Sequence, residues 1–126
     1  MQYGYDGDRD PPAPVLPVTI RNPWIEADEV RGPALLDSGA DVTVVPPSVV
    51  ATLGALQAGE YTVEGVGRTT VGDVPAYFVE FELDGHREIV EVVALGDEVI
   101  AGRNWLNSLR ITLDGPRERV SVEDAD

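Results

Sequence analysis

From residue 15 onward the apolar residues come in runs no longer than a strand. Residues 15–20, 34–36, 42–45 and 61–66 are short and rich in valine, with Gly, Pro or Asp between them. Such runs cannot supply the three or four turns of a core helix, whereas β-branched side chains suit a pleated, half-buried surface. Tyr77, Val79, Phe81 and Leu83 alternate with more variable neighbours, Asp84-Gly85 offers a hairpin turn, and residues 89–95 return. A second hairpin is signalled by residues 111–113, turn residues Asp114-Gly115 and residues 120–122. Helix is scarce: Pro47 opens a short one through residues 48–53 with Gly54 as its stop, and residues 103–109 carry the other helix-like spacing. A chain of 126 residues fits one domain. The expectation is a mostly β, single-domain protein without internal repeats. Residues 1–14, with three prolines and little to bury, read as a flexible acidic, proline-rich arm. The domain proper spans 15–122, and 123–126 form an acidic tail.

Charge and composition remove whole classes of function. There are 23 acidic against 9 basic residues, a formal net charge of -14 that repels phosphate backbones and anionic lipid. Neither nucleic acid nor membrane is an expected partner. All nine basic residues are arginine, which excludes a P-loop lysine, a Schiff-base lysine and a Ser-Lys dyad. With no cysteine there is no disulfide, thiol nucleophile or thiolate metal site. The N-terminus lacks a basic region followed by an apolar one, and no stretch approaches the roughly 18 apolar residues of a membrane helix. A soluble, cytoplasmic protein is expected.

One stretch departs from this background. In 34–46, ALLDSGADVTVVP, an apolar run climbs into Asp37 and turns through Ser38 and Gly39. Leu35 and Leu36 would anchor a buried strand, Gly39 would permit a tight turn, and Asp37 would be presented, partly desolvated, at the strand end. Ser38 and the turn amides could hydrogen-bond around the carboxylate. Asp-Ser-Gly by itself is most often only a loop.

The wider pattern resembles the retroviral-type (retropepsin-like) aspartic protease family. Leu35, Leu36, Asp37, Ser38, Gly39 and Ala40 match its apolar-apolar-Asp-Ser/Thr-Gly-Ala signature, followed by Asp41 and an apolar strand. Val99, Ile100, Ala101, Gly102, Arg103 and Asn104 look like its apolar-Gly-Arg-Asn/Asp segment. Gly65, Val66, Gly67 and Arg68 occupy the position of its flap. The resemblance implies a single-lobe acid protease barrel with one or two short helices, assembled as a C2 homodimer, and an endopeptidase acting on peptide or protein substrates without cofactor or metal. In that family two carboxylates about 3 Å apart share one proton, one activating a water and the other hydrogen-bonding the scissile carbonyl. This chain has one such motif, so the second Asp37 must come from another copy. By the same resemblance Ser38 reaches across to the partner loop, Gly39 holds substrate backbone, and Asp41 and Arg103 form a buried ion pair whose breaking costs roughly 3 to 5 kcal/mol. Ala40, where pepsin-like relatives place a hydroxyl, implies an optimum in mild rather than strong acid. The chain departs from the pattern at Ala101, where a larger residue is usual, at Arg68, and in the complete hairpin over 111–122 where retroviral proteases end in a short strand. Dimerisation is therefore expected to rest on that hairpin. The rival reading is a binding or dimerisation module that keeps the fold and cleaves little.

Other constellations are weaker. His86 is the one histidine, and no Gly-x-Ser-x-Gly supports a triad through it. Asp6, Asp8 and Asp10 mimic the start of a calcium loop, but Pro11 replaces its glycine. Trp24 and Trp105 are expected in a core or an interface.

Overall fold

A computed structural model describes residues 1–64 and 70–123. Among these residues ten strands and two short helices follow one another: β1 (Gln2–Gly4), β2 (Val15–Arg21), β3 (Val30–Leu36), β4 (Thr43–Val45), α1 (Pro47–Leu53), β5 (Leu56–Glu64), β6 (Thr70–Leu83), β7 (His86–Ala94), β8 (Val99–Ala101), α2 (Arg103–Leu106), β9 (Arg110–Asp114) and β10 (Arg119–Glu123). Seven of the strands form one sheet in the order β2-β3-β8-β4-β7-β6-β5, and β2 also pairs with β6, closing it into a barrel. The mostly β architecture with two short helices is the expected one.

The barrel closes around alternating side chains. Val79, Phe81 and Leu83 of β6 point inward with Leu16, Val18 and Ile20 of β2, while Glu80 and Glu82 point away. Trp105 of α2, 1% exposed, plugs this core and meets Phe81 edge-on at 5.0 Å. Pro47 opens α1 and Gly54, at φ 58°, ends it, as its sequence predicts. The Asp84-Gly85 hairpin also forms, both residues at positive φ and Leu83 paired with His86. The second hairpin uses a longer turn, with Asp114 paired to Arg119 and the positive φ at Glu118.

Two expectations fail. Residues 1–14 are not a loose arm: β1 pairs with β10, Tyr3 and Tyr5 pack on the main core, and the Met1 ammonium donates to the Val122 carbonyl. Arg9 supplies the anchor, bonding both Asp6 and Glu98, so Asp6, the first residue of the calcium-loop mimic, serves an arginine instead. Helix α2 stops at Leu106, well short of 109. Trp24 lies outside the core of the single chain: it is 55% exposed, edge-on to Phe78.

Candidate active site

Strand β3 carries the chain to Asp37, whose N–H donates to the Ala101 carbonyl at 3.0 Å and extends the parallel β3–β8 pairing by one residue. The backbone then turns, with the Ala40 N–H on the Asp37 carbonyl at 3.1 Å. Inside that turn the Gly39 N–H donates to Asp37 Oδ1 at 2.9 Å. A Cβ on Gly39 would stand 3.1 Å from the same oxygen. Glycine is wanted here for closeness to the carboxylate, since its φ lies outside the left-handed region. The Ser38 hydroxyl, expected to bond around Asp37, makes no hydrogen bond among the described residues.

The start of α2 grips this loop. Backbone N–H groups of Arg103 and Asn104 donate to the carbonyls of Ala40 and Asp41, at 2.8 and 3.3 Å. The Arg103 guanidinium reaches the Ser38 carbonyl at 2.7 Å and Asp41 Oδ1 at 2.6 Å. Behind them stands Thr43, fully buried, a role its sequence position did not advertise beyond being the one polar residue in the run 42–45. Its N–H and hydroxyl both donate to Asn104 Oδ1, at 2.9 and 2.8 Å, and its oxygen accepts the buried Gly102 N–H at 3.1 Å. Asn104 Nδ2 then donates to the Glu91 carbonyl of β7 at 2.7 Å. Gly102 is fixed by packing, because a Cβ there would lie 2.5 Å from the carbonyl carbon and oxygen of Val42. One polar network thus ties the loop to α2, β4 and β7.

Two electrostatic expectations need correction. Asp37 is exposed in the single chain, not partly desolvated, because the loop lies at the surface with nothing of this chain above it among the described residues. The Asp41–Arg103 pair does form, but with the side chains 87% and 46% exposed it is a surface pair. Breaking it therefore costs about 0 to 1 kcal/mol by its charges, well under the buried-pair figure. The flap residues Gly65, Val66, Gly67 and Arg68 lie outside the described residues. His86 is exposed at the head of β7, beside Glu88 and remote in sequence and pairing from the loop.

Around Asp37 the sheet is apolar. Leu35, Ile100, Val44, Val93 and Ala76 are successive cross-strand partners over β3, β8, β4, β7 and β6, so they share one face. Leu35, Ile100 and Val44 remain half-exposed there. Asp37 stands two residues beyond Leu35, with the same strand parity. Among the described residues no group of three or more His, Asp or Glu side chains is placed to hold a metal ion, and no helix is long and apolar enough to cross a membrane.

No protein-family model and no curated protein matches the chain. Solved structures do. The simian foamy virus (mac) protease superposes with a TM-score of 0.55 at 18% identity, over 75% of this chain and 92% of its own. EIAV protease gives 0.52 at 24% identity, over 75% and 86%. The retroviral protease-like domain of Ddi1 from Leishmania major gives 0.52 at 16% identity, over 86% and 88%. The chain also matches a foamy viral protease-reverse transcriptase, of whose length it spans only 12%.

Proposed function

We propose, from the retropepsin-like fold that this chain has, that it is an aspartic endopeptidase whose active form is a homodimer. The observation that carries this reading is Asp37 itself: an exposed carboxylate at a strand end, held by Gly39 and by a loop clamped to α2, in a chain that supplies only one such loop. A second copy related by a two-fold axis brings the mate. The two carboxylates then share a proton. The ionised one takes a proton from water as the water oxygen adds to the scissile carbonyl, and the protonated one hydrogen-bonds the carbonyl oxygen. Proton transfer to the amide nitrogen and cleavage of the C–N bond complete the hydrolysis. The Ser38 hydroxyl, unbonded among the described residues, locks the two loops together, and the Gly39 carbonyl binds substrate backbone. The apolar row from Leu35 to Ala76 favours apolar side chains beside the cleaved bond.

Incubating wild type and Asp37→Asn with a mixed peptide library between roughly pH 3 and 8 tests this, the range bracketing a shared-proton dyad. Cuts by wild type alone, flanked by apolar residues and most frequent in mild acid, are expected. No cuts at any pH from protein that sediments as a dimer would leave a binding or dimerisation module.

A further inference from the structure

Six large apolar side chains are well exposed among the described residues, and four of them, Trp24, Ile25, Leu56 and Ile89, gather around Phe78 on the face of β6 and β7 that points away from the barrel core. Leu56 is the cross-strand partner of Phe78, and Ile89 lies diagonal to it. Trp24 stands edge-on to Phe78 at 6.1 Å, and Ile25 packs over Gly54 at the end of α1. Such side chains are ordinary when scattered singly, but gathered they mark a contact surface.

The loop that carries Trp24 and Ile25 is fixed from within. Asn22 Nδ2 donates to the carbonyls of Leu53 and Gly54, both at 3.1 Å, which ties the loop to α1. Its Oδ1 accepts the N–H groups of Trp24 at 2.9 Å and Ile25 at 3.2 Å. One asparagine thus holds two large apolar side chains open to solvent. A surface ordered in advance loses little freedom when it is covered.

Beside this patch lies a groove of about 570 Å³, lined in part by Trp24, Ile25, Glu26 and Glu80. The arginines at its edge are already engaged: Arg21 meets Glu29 and Glu82, and Arg87 meets Glu82. Glu26 and Glu80 have no ion-pair partner among the described residues, so the uncompensated charge is negative.

We propose that this face docks a basic segment of another protein, with lysine or arginine side chains meeting Glu26, Glu80 and the Trp24 ring, and apolar side chains covering Ile25, Leu56 and Phe78. A cation is attracted both to a carboxylate and to the face of an exposed tryptophan. Charge also selects the class of partner. A second copy would set Glu26 and Glu80 against their own mates, and a chain of net charge -14 repels phosphate backbones and anionic lipid. The proposal goes beyond the protease reading and needs neither cleavage nor a dimer.

The test uses the Asp37→Asn chain, so that cleavage does not enter, and a short fluorescently labelled peptide of lysine and leucine whose anisotropy reports binding. The peptide should bind, more weakly as salt is added, and should shield Trp24 from acrylamide quenching, Trp105 being buried. Trp24→Ala should weaken binding about tenfold or more, and Glu26→Gln with Glu80→Gln about fivefold. Ile25→Ser, at another exposed position, should weaken it too, with thermal unfolding unchanged in every variant. Asp97→Asn, in the exposed loop after β7, removes one charge elsewhere and should leave binding as it was. Peptides with glutamate in place of lysine, or serine in place of leucine, should bind about tenfold more weakly or not at all. No binding of the lysine-leucine peptide, binding indifferent to Trp24→Ala and Ile25→Ser, or equal weakening by Asp97→Asn and Glu80→Gln overturns the proposal, the last by reducing it to a general attraction to an acidic chain. Self-association that Trp24→Ala abolishes assigns the face to a second copy instead and overturns it as well. Loss of all cleavage by wild type, with peptide docking intact, overturns the protease reading alone.

Discussion

At Thr43 a single hydroxyl does three things: it donates to Asn104, accepts from Gly102, and fills a fully buried site. Thr43→Val keeps the shape and removes the oxygen, stranding the buried Gly102 N–H. An unfolding free energy lower by about 1 to 3 kcal/mol is expected from denaturant titration. Arg103 presents the contrasting case. Its partner Asp41 is open to solvent, so Arg103→Ala should cost about 1 kcal/mol or less in the same titration. Its bond to the Ser38 carbonyl holds the loop, however, so peptide turnover should fall far more than stability does. Equal losses in both measurements would argue against a positioning role. The motif residues could be recognised from their spacing. Thr43 could not, because its importance comes from three groups that converge on it only after folding.

Elements were legible where local chemistry sufficed. Pro47 and Gly54 bound α1, and Asp84-Gly85 turns β6 into β7, because each residue acts on its own backbone angles. The N-terminal segment was not, since three prolines and scattered aspartates look the same in a loose arm and in a strand with fixed partners. What orders it is distant: β10 for Gln2–Gly4, the core for Tyr3 and Tyr5, and Glu98 for Arg9. Deleting residues 1–14 should therefore destabilise the fold by about 2 kcal/mol or more, through lost burial of the two tyrosines and the exposed edge of β10. A melting temperature unchanged by the deletion would restore the picture of a loose arm.

For the molecule as a whole, one contribution to acid sensitivity comes from a cluster of ion pairs where β2, β3 and β6 meet. A hydrogen bond from Arg31 holds Glu29 below the ordinary glutamate range, with Arg21 adding its charge, and a hydrogen bond from Arg21 does the same for Glu82. A carboxyl lowered in the folded state stabilises above its unfolded value, roughly pH 4.3, and loses that contribution as pH falls through its lower folded value. The melting temperature of wild type should thus exceed that of Arg21→Ala at neutral pH, and the gap should narrow below about pH 4. A gap constant with pH would mean the arginine acts through packing alone. The sequence by itself determined the mostly β class, the two short helices, both hairpins and the loop that carries Asp37, because strand-length runs, turn residues and a contiguous motif act over a few residues. Tertiary structure alone decided that the first residues belong to the sheet, that Thr43 and Glu91 support the site, that the Asp41–Arg103 pair is exposed, and that an apolar row lies beside Asp37. Each of these depends on which distant strands become neighbours, and a linear pattern records the faces a strand has without recording what they meet.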